Sequence, residues 1–199
     1  WSSDVCSSDL TADNKTYSYD YSGKLRKITF MGGYEQALEY DADNNNTAVE
    51  DSFGRRIAFT YSSDIGGRLE SMQTPDGETY TFKYVERYDA ADRPNVANEN
   101  EIALQHWALE KVVVPAATSA NAADNPTVTY HYENASFPFA LTGITDEENI
   151  RFATWVYGPE GRVTSSKHAG DVDETTFAYD EVANTTTVTN PLGKQSMYK

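Results

Sequence analysis

The chain has 199 residues, of which 31 are acidic and 16 are basic, so its formal net charge at pH 7 is −15. This charge argues against a nucleic-acid partner, because phosphate backbones are held by clustered Lys and Arg, and the sequence has no such cluster. No stretch of about 18 apolar residues occurs, so we expect no membrane insertion by this segment. The length allows one or two ordinary domains.

The first ten residues, WSSDVCSSDL, have an unusual composition. Their reverse translation resembles a sequencing-library adapter, so we expect residues 1–10 to be an artefact without ordered structure and the chain to be a fragment that begins at Thr11. Cys6, the only cysteine, lies in this segment, so no disulfide or thiol chemistry is expected from the remainder. Without Asp4 and Asp9, the net charge is −13.

A repeated pattern occupies residues 11–199. Each copy has a tyrosine, a turn containing Gly, and two short stretches that alternate between apolar and polar residues; residues 59–84 form the most complete copy. Because successive side chains of a strand point to opposite faces, this alternation predicts repeated antiparallel hairpins and an all-β fold. The tyrosines recur every 21 to 25 residues except across one longer insertion, and they are Tyr19, Tyr40, Tyr61, Tyr84, Tyr132, Tyr157 and Tyr179.

Glycines mark the predicted turns of the repeats. A tight turn needs a positive φ at one position, which Gly adopts without steric cost. Asp76-Gly77 is the strongest hairpin signal. The glycines expected at such positions are Gly54, Gly67, Gly77, Gly161 and Gly193.

Two connections are longer than the others. Residues 85–106 replace a short Gly turn and residues 116–126 replace an Asp-Gly turn, with strands expected at 107–116 and 127–132. Residues 98–106 do not hold a clean helical stripe and are predicted to form a short helix or a loop. These insertions leave the repeat register between 85 and 150 poorly fixed.

The motifs within each copy resemble those of the Rhs or YD-repeat family, which occurs in bacterial Rhs proteins, in the shell components of insecticidal toxin complexes and in animal teneurins. The sequence departs from the family pattern at Asn184, where Gly-Arg is expected, and at the 85–106 insertion. The resemblance rests on Tyr19-Asp20, Gly23-Lys24-Leu25, Tyr40-Asp41, Gly67-Arg68-Leu69, Pro75-Asp76-Gly77, Gly161-Arg162-Val163, Tyr179-Asp180 and Pro191-Leu192-Gly193.

The resemblance implies a non-catalytic role in the wall of a β-sheet shell that encloses or presents a C-terminal effector domain. The implied partners are the remaining repeats and the C-terminal domain of the same protein, and the implied location is secreted or at the cell surface. About seven partial units are too few to close a shell, so we expect an open, curved sheet with an exposed edge.

An alternative function is recognition of a cell-surface glycan or protein by exposed aromatic rings, since ring faces supply amphipathic contact area. The two functions differ in where the rings point. Rings packed against the protein favour the shell, and an exposed row favours recognition. The test residues are Tyr80, Phe82, Tyr84, Trp155 and Tyr157.

We predict no catalytic residue, cofactor or metal site. Asp41, Asp43 and Asn45 begin like a calcium loop, but an EF-hand requires Gly and Glu where Asn46 and Ser52 stand. Weak calcium binding and a polar hairpin loop both remain open for this segment.

The other titratable residues form no catalytic signature. The histidines His106, His131 and His168 lie at no ligand spacing. The acidic pairs Asp171/Asp173 and Glu147/Glu148 could supply the two carboxylates of a glycosidase, but in so acidic a chain such residues are more often solvated.

Overall fold

A computed structural model of the chain describes residues 7–10, for which only the backbone is considered, and residues 14–63, 66–87, 107–116 and 125–199. The regular structure of these residues is β-strand, apart from a short 3-10 helix at Ala169–Asp171. The sixteen strands are β1 (Ser7–Leu10), β2 (Thr16–Tyr19), β3 (Leu25–Thr29), β4 (Glu35–Tyr40), β5 (Asn46–Asp51), β6 (Arg56–Tyr61), β7 (Leu69–Gln73), β8 (Thr79–Glu86), β9 (Trp107–Val113), β10 (Thr127–His131), β11 (Gly143–Thr145), β12 (Arg151–Tyr157), β13 (Val163–His168), β14 (Val172–Asp180), β15 (Thr185–Thr189) and β16 (Gln195–Tyr198).

The strands follow one another in the sheet in chain order, from β1 to β16. Neighbours are antiparallel, as in the pairings Ser71↔Thr81 and Ser165↔Thr176. The predicted all-β fold of repeated antiparallel hairpins in an open sheet is therefore confirmed. The chain forms two compact units, Trp1–Thr81 and Phe82–Lys199, which we call unit 1 and unit 2.

Most strands of unit 1 are joined to the next by short turns of one recurring type. In the turn at 20–24, the Asp20 N–H donates to the Lys24 carbonyl and the Gly23 N–H donates to the Asp20 carbonyl. A five-residue connection of this kind, with its fourth residue at positive φ, matches the right-handed twist of the strands that it joins. The same two bonds close the turns at 30–34, 41–45, 51–55 and 74–78 in unit 1, and at 146–150, 158–162 and 190–194 in unit 2.

The backbone conformation at the fourth position of these turns explains why glycine is common there. It lies at φ between +62° and +89°, and it holds Asn44 and Asn149 in two turns and Gly in the other six. The sequence prediction of positive φ is confirmed at Gly54, Gly77, Gly161 and Gly193, and also at Gly67 in the longer β6–β7 connection.

Unit 2 has more varied connections. Strands β9 and β10 stand where the sequence analysis expects them, and the Val114 N–H donates to the Pro126 carbonyl at the base of the second long connection. The sequence analysis predicts that the first insertion begins at residue 85, but β8 continues through Val85 to Glu86. Residues 88–106, with the predicted helix or loop at 98–106, lie outside the described residues.

The N-terminal prediction is corrected in part. Ser7–Leu10 forms β1 and pairs with β2, with Ser7 opposite Tyr19 and Leu10 opposite Thr16. Strand β2 otherwise presents a row of backbone N–H and C=O groups to which an extended segment can pair whatever its side chains. Residues 1–6 lie outside the described residues.

Burial in the sheet is shallow. Among the described residues, the buried apolar side chains are Ala48, Ala108 and Ala153. The aromatic rings of the repeats are half-buried, as at Tyr80 and Trp155. Small side chains lie at the closest points of packing, so the fold depends more on interactions along the strands than on a deep core.

Candidate functional site: a repeated tyrosine clamp

The recurring tyrosines end a strand or lie close to its end. Tyr19, Tyr40, Tyr61 and Tyr157 are the last residues of β2, β4, β6 and β12. Tyr132 directly follows β10, whereas Tyr84 and Tyr179 lie within β8 and β14, close to their ends. The structure therefore places all seven predicted tyrosines at equivalent points of successive hairpins.

Five of these tyrosines make the same hydrogen bond. Each hydroxyl donates to a backbone carbonyl on the preceding strand or just before it, an arrangement that we call the tyrosine clamp. The bonds are Tyr40 to Leu25 (2.9 Å), Tyr61 to Asn46 (2.7 Å), Tyr132 to Leu109 (3.0 Å), Tyr157 to Leu141 (2.8 Å) and Tyr179 to Val163 (2.7 Å).

Consecutive clamps are linked through the strand starts. Leu25 is paired across the ladder with Tyr19 and accepts the hydroxyl of Tyr40. Asn46 is paired with Tyr40 and accepts the hydroxyl of Tyr61 in the same way. A register irregularity directly precedes Tyr19, Tyr40, Tyr61 and Tyr157. Such bulges re-aim a side chain at a strand end. The Tyr179 clamp forms without a register irregularity beside the tyrosine.

The environment of the clamp favours the neutral, hydrogen-bonded phenol. Burial raises the pKa of Tyr61, Tyr132 and Tyr157 above the ordinary value for tyrosine. A half-buried hydroxyl that donates to a carbonyl avoids the cost of an unsatisfied polar group and contributes about 1 kcal/mol of net stability. The clamp is thus a structural bond and not an activated acid or nucleophile.

Basic side chains lie over the clamp rings. The Arg162 guanidinium lies 4.5 Å from the centre of the Tyr179 ring, and Lys24 Nζ and the Arg26 guanidinium lie 5.5 and 5.1 Å from that of Tyr40. Arg87 lies 5.1 Å from the Tyr132 ring. These are cation–π distances.

Together, these contacts account for the Gly-Lys/Arg-Leu/Val motif. In Gly23-Lys24-Leu25 and Gly161-Arg162-Val163, the Gly supplies the positive φ of the turn. The basic residue lies over the next tyrosine, and the last residue supplies the carbonyl that this tyrosine binds. Gly67 and Arg68 stand directly before β7, and Leu69 is the first residue of that strand.

The Asp residues that follow the tyrosines fix the turns. Asp20 Oδ1 accepts from the N–H groups of Ser22 and Lys24, and Asp20 Oδ2 accepts from Arg26 Nε at 2.7 Å. The Ser22 hydroxyl, with these other donors, holds the pKa of Asp20 well below its usual range. Asp180 Oδ1 likewise accepts from the N–H groups of Val182 and Ala183.

The two predicted prolines take the second position of their turns. Pro75 follows Thr74 in the turn at 74–78, and Pro191 follows Asn190 in the turn at 190–194. The fixed φ of Pro suits this position of a type I turn. The residues singled out by sequence therefore position strands and turns.

The calcium-like segment is a hairpin turn in the structure. Asp41 Oδ1 accepts from the N–H groups of Asp43 and Asn45, and Asp41 Oδ2 accepts from Asn45 Nδ2 at 3.1 Å. Both oxygens of this carboxylate are thus committed to the turn. No group of three or more His, Cys, Asp or Glu side chains in the described part of the chain is arranged to hold a metal ion.

The remaining titratable residues are dispersed. His131 Nε2 lies 2.7 Å from Thr145 Oγ1, and the His168 ring lies 6.0 Å from that of Phe152. Asp171 pairs with Lys167 at 3.4 Å, while Glu147 and Glu148 are exposed. His106 lies outside the described residues. Over the parts of the chain that are described, no helix is long and apolar enough to span a membrane.

Cross-strand ion pairs were missed by sequence reasoning. Arg151 contacts both oxygens of Glu133 at 2.9 and 2.8 Å, and Arg56 contacts both oxygens of Glu39 at 2.6 Å. The Arg151 guanidinium also lies where a side chain at Gly143 would stand. The partners are 17 or 18 residues apart, so only a correct strand register could have shown the pairs.

Comparison with known proteins gives a partial likeness. No family model matches the chain. Among curated proteins, the chain is 35% identical over 71 residues to double-stranded DNA deaminase toxin A of Burkholderia cenocepacia (strain H111). This region covers 36% of the chain, and the chain spans 5% of the length of this relative. Over part of its length, the chain resembles a bacterial toxin.

Two solved structures are also similar to the chain. One is a porin-like protein from Bacteroides uniformis, with 14% identity and a TM-score of 0.40, covering 92% of this chain and 85% of that one. The other is a TcdB2-TccC3-Cdc42 structure, with 12% identity and a TM-score of 0.25, covering 96% of this chain and 14% of that one.

Proposed function

We propose that the chain is a non-catalytic wall segment of an Rhs-type β-shell, which encloses or presents an effector domain of the same polypeptide. The observation that carries this proposal is the tyrosine clamp. The clamp recurs in both units, each copy joins neighbouring strands, and each tyrosine hydroxyl binds a backbone carbonyl of the same chain.

The likeness to a toxin supports the same role. A segment that resembles 5% of a toxin's length fits one part of a larger protein whose chemistry lies elsewhere. The proposed partners are therefore the remaining repeats and the effector domain. A secreted or cell-surface location follows from this proposal.

Ring burial favours the shell over recognition by the predicted aromatic residues. Tyr80, Phe82, Tyr84, Trp155 and Tyr157 are all half-buried. They lie against the protein and form no fully exposed row. A wall needs rings that strengthen contact between strands, and these rings meet that need.

The proposal is tested on the protein expressed from its complete reading frame. Limited proteolysis is followed at sites within the effector domain, and the rate is compared with that of the same domain expressed alone. We expect at least tenfold slower cleavage in the intact protein. Equal rates would contradict the proposal.

A variant of the intact protein without clamps tests whether this segment protects the effector domain from proteolysis. Replacement of Tyr132, Tyr157 and Tyr179 by Ala is expected to weaken the wall and restore rapid cleavage of the effector. Tyr21→Ala is the matched control, because Tyr21 is a 76% exposed tyrosine that takes no part in a clamp. Protection that survives loss of all three clamps would assign the enclosure to other parts of the protein.

A further inference from the structure

Three aromatic rings form a row at two neighbouring turns of unit 1. Phe30 and Tyr34 belong to the turn that joins β3 and β4, and Phe53 belongs to the turn that joins β5 and β6. The ring centres of Phe30 and Tyr34 are 5.1 Å apart, and those of Tyr34 and Phe53 are 5.9 Å apart with 30° between the ring planes. We call these three rings the aromatic row.

Phe53 is the exposed ring of the row, whereas Phe30 and Tyr34 are half-buried. Phe53 is the third residue of its turn and is 76% exposed, and Met31, beside Phe30, is 80% exposed. A side chain this exposed contributes little burial energy to its own fold. At the third position, the other seven turns of this type hold five polar residues, a glycine and one apolar residue: Ser22, Asp43, Asp76, Glu148, Glu160, Gly32 and Leu192.

A fixed polar frame borders the row. The Asp51 carboxylate is 7% exposed, and it accepts from Arg55 Nε at 2.7 Å and from the Tyr34 hydroxyl at 3.3 Å. The Arg55 guanidinium lies 5.5 Å from the centre of the Phe53 ring, and its side chain is 64% exposed. Asp51 and Arg55 form an ion pair, and Lys15 Nζ lies 5.4 Å from the centre of the Phe30 ring at the other end of the row.

We propose that the aromatic row is a binding site for an uncharged oligosaccharide. Aromatic rings pack against the C–H faces of pyranose rings, and a planar guanidinium beside them can donate to sugar hydroxyls. The net charge of −15 disfavours an anionic ligand, so an uncharged one is favoured. This activity is independent of the proposed wall function and resides in different residues from the tyrosine clamp.

The test uses the full 199-residue chain in native gels that contain hydroxyethyl cellulose, laminarin or galactomannan, each an uncharged polysaccharide. We expect retarded migration in at least one gel. Phe53→Ala is expected to reduce the retardation at least tenfold, while Phe53→Tyr retains it because the ring face remains.

Tyr21→Ala is again the matched control, since Tyr21 is also 76% exposed but lies in a different turn. It is expected to leave the retardation unchanged, and far-UV circular dichroism checks that each variant keeps its strands. Absence of retardation in all three gels, or equal loss in Phe53→Ala and Tyr21→Ala, would overturn the proposal. Binding of a proline-rich peptide without any retardation by polysaccharide would assign the row to protein recognition instead.

Discussion

Units 1 and 2 differ in how their strands are connected, yet they share the tyrosine clamp. The described turns of unit 1 are mostly five residues long, whereas unit 2 contains the long connections before β9 and β10. The clamp hydrogen bonds are nevertheless 2.7–2.9 Å long in unit 1 and 2.7–3.0 Å long in unit 2. The clamp therefore depends on the pairing of adjacent strands and not on the loop that joins them. Loop length can vary between the units because the entropy cost of closing a loop rises only slowly with its length.

The largest expected effect is removal of a whole clamp ring. Tyr61→Ala in unit 1 and Tyr157→Ala in unit 2 should each lower the free energy of unfolding by about 2–3 kcal/mol, because both the half-buried ring and its hydrogen bond are lost. Urea denaturation followed by circular dichroism measures this change. A loss below about 0.5 kcal/mol for one variant alone would show that the clamp supports only the other unit.

Alanine in place of a turn glycine should destabilise the two units by different amounts. Gly54 and Gly161 hold the same turn position at φ +77° and +72°, but a methyl group at Gly54 meets no atom within 4 Å, whereas at Gly161 it would stand 2.9 Å from Phe137 Cε1. Gly54→Ala should cost about 1 kcal/mol from backbone strain alone. Gly161→Ala should cost about 2 kcal/mol, since Phe137 must also move.

Gly54→Asn is the control for backbone strain, because Asn44 and Asn149 already occupy this turn position. It should cost less than Gly54→Ala in the same denaturation experiment. Equal costs for alanine at Gly54 and Gly161 would mean that Phe137 does not pack closely against its turn.

Removal of a single clamp hydroxyl should have a smaller effect, and the same effect in both units. Tyr40→Phe and Tyr179→Phe each delete one donor while keeping the ring, so we expect a loss of about 1 kcal/mol. Tyr21→Phe should change the free energy of unfolding by much less, because Tyr21 is exposed and outside the clamps. A difference of more than about 1 kcal/mol between Tyr40→Phe and Tyr179→Phe would break the equivalence of the clamps.

The smallest expected effect concerns acid sensitivity. The hydrogen bonds from Arg151 lower the pKa of Glu133 from 4.5 to about 2. A folded-state pKa below the unfolded value stabilises the fold above pH 4.5, and this contribution is lost as the pH falls towards 2. The Glu133 side chain is 57% exposed, so the pair contributes below about 1 kcal/mol.

Melting temperatures at pH 6 and pH 3 measure this contribution. Glu133→Gln should lower the melting temperature at pH 6 and change it less at pH 3, so that its acid-induced shift is smaller than that of the wild type. Glu39→Gln is the counterpart in unit 1, because Arg56 lowers the pKa of Glu39 in the same way. Identical acid-induced shifts in wild type and variant would exclude a role for the pair.

Strand positions and turn glycines could be predicted from sequence because each is a local property. The alternation around Tyr80 and the Gly at position 77 act within a few residues, so a short window contains the signal. The recurring tyrosines could be found, but their acceptors could not. The Tyr61 hydroxyl binds a carbonyl 15 residues earlier, and this contact follows only from the register of the strand pairs.

The turn caps were only partly recognised. The Tyr-Asp motif identifies Asp20 and Asp41, whereas Asp51, Asp146 and Asn190, which cap turns in the same way, follow no tyrosine. The spacing of an Asp or Asn three residues before a Gly or Asn would have identified them. The aromatic row depends on the proximity of two turns, and that proximity follows only from the strand pairing.

The donor and the acceptor of the clamp hydrogen bond respond differently to mutation. The donor is a tyrosine side chain, but the acceptor is a main-chain carbonyl, which the chain offers at leucine, asparagine and valine alike. A point substitution can delete the donor but leaves the acceptor in place. The acceptor positions are thus free to vary in sequence, and genetic vulnerability is concentrated in one residue per hairpin.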